Sequence, residues 1–156
     1  MQRLSEYKIW ILLILILSGF SLSAKDKPTL MGVGIIAGEP TGFSLKYWTG
    51  KGTAFDAGLG WSFGNQRRLH LHGDWLINKP GGSTKKTIIS FYYGLGARMK
   101  VREESKIGIR IPTGIDVLLK KSPLDIFMEV VPILDVVPET KISFNLGIGV
   151  RYYFRA

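Results

Sequence analysis

The chain has 156 residues, 46% of them hydrophobic, and 21 Lys and Arg against 12 Asp and Glu give it a net charge of +9. With no Cys, it has neither a disulfide framework nor a cysteine to carry a lipid anchor. Beyond the N-terminal segment no uncharged run approaches the roughly 18 residues of a membrane-crossing helix, so a helical membrane protein is excluded.

Arg3 and Lys8 precede nine apolar residues, Ile9 to Leu17, and then the small-residue stretch Ser18 to Ala24. A basic start, a short apolar core and small residues describe a secretory signal peptide. The apolar core is too short for a spanning helix, which needs about 20 residues. Residues 1–24 are therefore assigned to the signal, with cleavage after Ser23 or Ala24, and residues 25–156 to one domain. Loss of Arg3, Glu6 and Lys8 lowers the charge from +9 to +8. An exported chain of this charge is expected to meet an anionic lipid surface rather than nucleic acid.

The exported part alternates large apolar residues with small or polar ones, the period of a strand with two unlike faces. Met31, Val33 and Ile35 open it against Gly32 and Gly34, and Phe43, Leu45 and Tyr47 follow against Ser44 and Lys46. After the turn Thr49 to Gly52 come Phe55, Ala57, Leu59, Trp61 and Phe63, opposed by Asp56, Gly58, Gly60 and Ser62. The fourth element sets Leu69, Leu71, Trp75 and Ile77 against His70, His72 and Asp74. Lys79 to Lys86, rich in Gly, Pro and Lys, reads as the longest loop.

Ile89, Phe91, Tyr93, Leu95 and Met99 then oppose Ser90, Gly94, Gly96, Arg98 and Lys100. Ile107, Ile109, Ile111, Ile115, Val117 and Leu119 oppose Gly108, Arg110, Gly114 and Asp116. Past Lys120 to Pro123, Leu124, Ile126, Met128, Val130, Leu134 and Val136 oppose Asp125, Phe127, Glu129 and Asp135. Pro112 and Pro132 fall at one level of these two strands, where neither can donate to the ladder, and predict a bulge. The final element, KISFNLGIGVRYYF at 141–154, alternates without a break from Ile142 to Phe154.

Eight strands joined mostly by hairpins predict an all-β, antiparallel up-and-down barrel, each strand long enough to cross a bilayer at a tilt. A soluble barrel would turn the apolar face inward and cover the other with Lys, Glu and Thr. Here the polar face is Gly, Ser and charges of both signs, which suits a narrow lumen. Tyr47, Phe55, Trp61, Phe63, Trp75, Phe144, Tyr152 and Phe154 lie on the apolar face near strand ends, as interfacial aromatic girdles do. The expected arrangement is lipid outside and polar packing inside, with a soluble calycin-like barrel as the alternative.

The signal, the eight alternating strands and the closing GIGVRYYF resemble the small outer-membrane barrels of the OmpA/OmpX type. The phrases GEPTGFSLKYW and DAGLGWSF look like a less-studied group of small bacterial outer-membrane barrels. The resemblance covers residues 25–156 and implies residence in the outer membrane among its lipid and lipopolysaccharide. It also implies insertion by the barrel-assembly machinery, which reads a terminal aromatic. Here Phe154 is followed by Arg155 and Ala156, so that signal is displaced.

Two inward constellations could carry chemistry. His70, His72 and Asp74 sit at alternate positions of one strand, as a metal site or an acid–base pair needs. Outer-membrane barrel hydrolases acting on lipid or peptide do use His. If the strands pair through the loops Gly64 to Arg67 and Lys79 to Lys86, His72 lies between Gly60 and Gly94. The chain holds two His in all, fixes no third ligand and places no Ser as nucleophile, so a hydrogen-bonded interior outweighs both catalysis and metal binding. The second constellation sets Arg151 diagonal to Asp125 and Glu129 with Asp116 beside them, an ionic plug or, less favoured, a selectivity or proton site. The sequence thus predicts a non-enzymatic, cofactor-free, monomeric outer-membrane barrel with a membrane-structural or surface-interaction role. An outer-membrane enzyme and a narrow ion pore are the alternatives.

Overall fold

The structure, a computed structural model, describes residues 30–62 and 68–155. The signal segment 1–24 and the girdle residue Phe63 lie outside the described residues. The strands are β1 (Leu30–Gly38), β2 (Gly42–Gly50), β3 (Thr53–Ser62), β4 (Arg68–Ser83), β5 (Thr87–Val101), β6 (Lys106–Arg110), β7 (Thr113–Leu119), β8 (Leu124–Val137) and β9 (Lys141–Arg155). All pairings are antiparallel. β6 and β7 both lie between β5 and β8 and are two halves of one barrel strand, so the ring is eight-stranded. It closes where β1 pairs β9, from Leu30 opposite Arg155 to Gly38 opposite Gly147.

The break between β6 and β7 falls at Ile111-Pro112, but no residue is inserted there. Arg110 faces Ile133 and Thr113 faces Val130, so the register runs straight through. Ile111 N–H still donates to the Pro132 carbonyl at 3.0 Å, and the Pro112 carbonyl accepts from Gly94 N–H at 2.9 Å. The bulge expected at the prolines is therefore absent. The missing N–H interrupts the ladder without shifting it, and the register shifts lie at Trp48/Gly50, Pro80/Gly82 and Ile107/Gly108.

Two glycines on the inner wall permit the tight closure. A Cβ on Gly34 would run into the Val150 carbonyl of the neighbouring strand, and one on Gly58 into the His72 ring.

The segregation of side chains is the reverse of a soluble protein. Ile142, Phe144 and Leu146 are 68%, 66% and 63% exposed on the outer wall, while Arg110 and Lys46 are fully buried inside. A small apolar cluster of Ala54, Leu76 and Tyr92, with Trp48 against it, fills the lumen toward the end that holds Leu30 and Arg155. Aromatics flank the outer wall at both ends. Phe55 packs edge-on to Trp75 at 4.5 Å and Tyr152 against Phe154 at 4.9 Å near the strand ends that share a rim with Leu30. Phe43 packs against Trp61 at 5.0 Å near the opposite rim. An apolar exterior bounded by aromatics requires a hydrocarbon surround, since in water a continuous apolar surface of this extent would aggregate.

Candidate functional site

Among the described residues, chemistry-bearing side chains converge in the lumen, because the period of two sends the charged residues of the strand centres to the same side. Ten buried charged side chains line it among the described residues: Lys46, Asp56, Asp74, Arg98, Arg110, Asp116, Asp125, Glu129, Asp135 and Arg151. Every strand except β1 supplies at least one.

Arg151 is the hub. Its Nε donates to Ser44 Oγ at 2.9 Å, its Nη2 to Asp56, and its Nη1 lies 3.6 Å from Asp116 and 3.5 Å from Asp125. The guanidinium stacks on the Phe127 ring at 3.6 Å. Lys46 bridges to Asp116 and to Asn78 Oδ1 at 3.1 Å, with the Trp48 and Tyr92 rings against its ammonium. Arg110 donates through Nε to both Asp74 oxygens, at 3.0 and 3.2 Å, and its Nη2 reaches Glu129 at 3.6 Å. The Tyr92 and Tyr153 hydroxyls donate to Glu129 and Asp125 at 3.2 and 3.3 Å. Nearer the rim with the loops after β1, β5 and β8, Arg98 grips Asp135 at 3.0 and 2.6 Å and Ser143 at 3.0 Å. Charges so far from water need such partners, since an unpaired one would cost several kcal/mol.

Asp116, Asp125 and Arg151 meet, but Arg151 lies directly opposite Asp125 rather than diagonal to it. Glu129 stands opposite Gly147 and turns to Arg110 and Tyr92. The connection from β8 to β9 centres on Pro138, one residue before the centre that the diagonal placement requires, and that sets the difference. Asp56, Lys46 and Arg110, the partners that complete the network, come from strands across the lumen. Their alternation placed them inward, but no spacing along the chain signals a contact across a barrel.

His70, His72 and Asp74 all face inward, with the two imidazoles edge to face at 5.5 Å. His72 lies between Gly58 and Arg98, not between Gly60 and Gly94. The acid–base pair does not form, since Asp74 is held by Arg110 and the nearest carboxylate oxygen to His72 Nε2 is on Asp56 at 3.9 Å. Asp56, His72 and Asp74 do bring ligand atoms within 4.8 Å of one another. Both carboxylates are already paired with guanidinium groups, so a cation there would have to compete with Arg110 and Arg151 for them.

No family model matches the chain, and no curated protein sequence resembles it significantly. Among solved structures it is similar to the N-terminal β-barrel domain of Pseudomonas aeruginosa OprF, with 11% identity, a TM-score of 0.57, and 81% of this chain and 96% of that one covered. Looser likenesses are to Neisserial surface protein A, at 10% identity, 81% and 94% coverage and TM-score 0.46, and to the outer membrane enzyme PagL, at 10%, 83% and 100%, and 0.41. At these identities the likeness is one of fold, and the last two carry no argument. The chain has the fold of the small eight-stranded outer-membrane barrels of the OmpA/OmpX type, and its apolar outer wall and charged lumen fit it to a bilayer.

Proposed function

We propose that the chain is a non-enzymatic integral barrel of the outer membrane whose ionic lumen is a structural plug, leaving the rims and loops to meet other molecules. The observation that carries this reading is the cross-lumen network of Arg151, Lys46 and Arg110, which ties β2, β3, β4, β6, β7, β8 and β9 together through the barrel centre. Its partners are the surrounding lipid and lipopolysaccharide and, during insertion, the assembly machinery, to which β9 would offer the outward aromatics Tyr152 and Phe154. The short connections 39–41, 102–105 and 138–140 fit a membrane-structural role better than adhesion.

Reconstitution tests it. The refolded barrel should migrate as a compact band that slows on heating and should give no steady unit conductance in planar bilayers. A stable open-channel current would replace the plug with a pore. A lipid- or peptide-cleaving activity abolished by His72→Ala would replace it with an enzyme.

A further inference from the structure

The lumen opens at the loop end into a cavity of about 110 Å³, lined by Glu39, Arg98, Lys100, Arg102, Lys106, Asp135, Lys141, Ser143 and Asn145 among others. Five of these residues are cationic and two anionic, a local excess of +3. Arg98 Nη1, Arg102 Nε and Asn145 Nδ2 are buried there without a hydrogen-bond partner. Arg98 and Asn145 are 4% and 2% exposed, so water at the surface does not serve them. All three orphans are donors, and they come from β5, the β5–β6 turn and β9.

We propose that this mouth is a binding site for a phosphate-type oxyanion. Asp135 and Ser143 fix the Arg98 guanidinium through Nε and Nη2. Its Nη1 edge is thereby held ready for a third acceptor without further ordering. The Asn145 side chain in the same cavity adds a neutral donor, and the half-buried Lys100 and Lys106 and the exposed Lys141 add ammonium groups. A planar carboxylate has two oxygens and suits a single fork. Donors converging from three elements suit a tetrahedral anion that accepts along several directions. A phosphate carrying nearly two charges would also cancel most of the local excess. The phosphate could be free or esterified on a lipid headgroup.

Isothermal titration of the barrel refolded in an uncharged, phosphate-free detergent separates these sources. The probes are inorganic phosphate and glucose 1-phosphate, with sodium acetate at matched ionic strength as control. Saturable binding of a phosphate probe and none of acetate is expected. Inorganic phosphate binding as well as the ester would indicate free phosphate, and binding of the ester alone a headgroup. Asn145→Leu, and Lys100→Gln with Lys106→Gln, should each weaken binding about tenfold or more, because each removes donors to a charged acceptor. Heat-modifiable migration shows that these variants fold. Saturation by neither phosphate probe, or variants that bind like the parent, would overturn the site.

Discussion

Replacing Arg151 by Met removes the hub cation and keeps most of its length. The thioether can still pack on Phe127, so the change isolates charge from shape. What is lost is the bond to Ser44, the pairing with Asp56 and the approaches to Asp116 and Asp125. Lys46 remains beside Asp116, but Asp56 and Asp125 lose their cation inside the barrel. Arg151 is 1% exposed, so solvent screening does not discount the loss, and orphaning buried carboxylates costs about 3–5 kcal/mol. Asp56→Asn alone should cost less, about 1–3 kcal/mol, because Arg151 keeps Asp125 and Ser44. In the double variant Asp56 is no longer an orphaned charge, although Asp125 still is, and the losses should fall short of additive by about 1 kcal/mol or more. The same cycle with Glu129→Gln should show weaker coupling, since Glu129 pairs with Arg110 and Tyr92. Urea titration of the barrel in lipid vesicles, followed by tryptophan fluorescence, gives all these values. Strict additivity of Arg151→Met and Asp56→Asn, or a loss below about 1 kcal/mol for Arg151→Met, would refute the hub.

Leu146→Arg and Ile148→Arg should each cost about 2–4 kcal/mol in a bilayer, whereas on a water-exposed wall the same titration would find them within about 0.5 kcal/mol of the parent. Gly34→Ala should weaken the β1–β9 seam by about 1–3 kcal/mol, since its Cβ meets the Val150 carbonyl and overpacking strains the backbone. Gly73→Ala, with open space around its Cβ, should leave the urea midpoint unchanged or slightly raised. If export leaves the N-terminus in the periplasm, the rim that Ser83 shares with Lys51, Lys120 and Lys121 is the periplasmic one. In intact cells an impermeant thiol reagent should therefore spare Ser83→Cys and label Glu103→Cys; the opposite pattern would invert the barrel.

The faces of the strands were legible in the sequence and the partners largely were not. Alternation is a local property, so Leu146 outward and Arg151 inward follow from the period alone. Register depends on where each hairpin turns, and composition misled at Lys79 to Lys86. Gly, Pro and Lys there suggested a loop, yet Lys79 pairs with Phe91, Pro80 with Ser90 and Ser83 with Ile88. The true turn is held by Thr84, whose N–H donates to the Thr87 carbonyl at 2.9 Å, while Lys120 caps the Thr84 carbonyl at 2.6 Å. Moving the turn by two residues puts Arg98 rather than Gly94 beside His72. The β3–β4 register likewise sets Gly58 rather than Gly60 opposite His72. A polar hairpin can extend past the hydrocarbon without any apolar signature, which is why its strands were invisible to periodicity. The contacts of Arg151 with Asp56 and of Lys46 with Asp116 cross the lumen. They depend on the circumference of the closed ring, which no single pair of strands encodes.

The alternation of β9 divides lipid from a packed ionic lumen, and this division can be read position by position. Because the chain has no Cys, single spin labels can be placed in turn at 142 to 148 and the barrel reconstituted in vesicles. Collision rates with dissolved oxygen, which concentrates in hydrocarbon, then report each position. The rates should alternate with a period of two, high at Ile142, Phe144, Leu146 and Ile148 and low at Ser143, Asn145 and Gly147. Rates that are uniform along the strand, or high on the Ser143–Asn145–Gly147 face, would contradict that division.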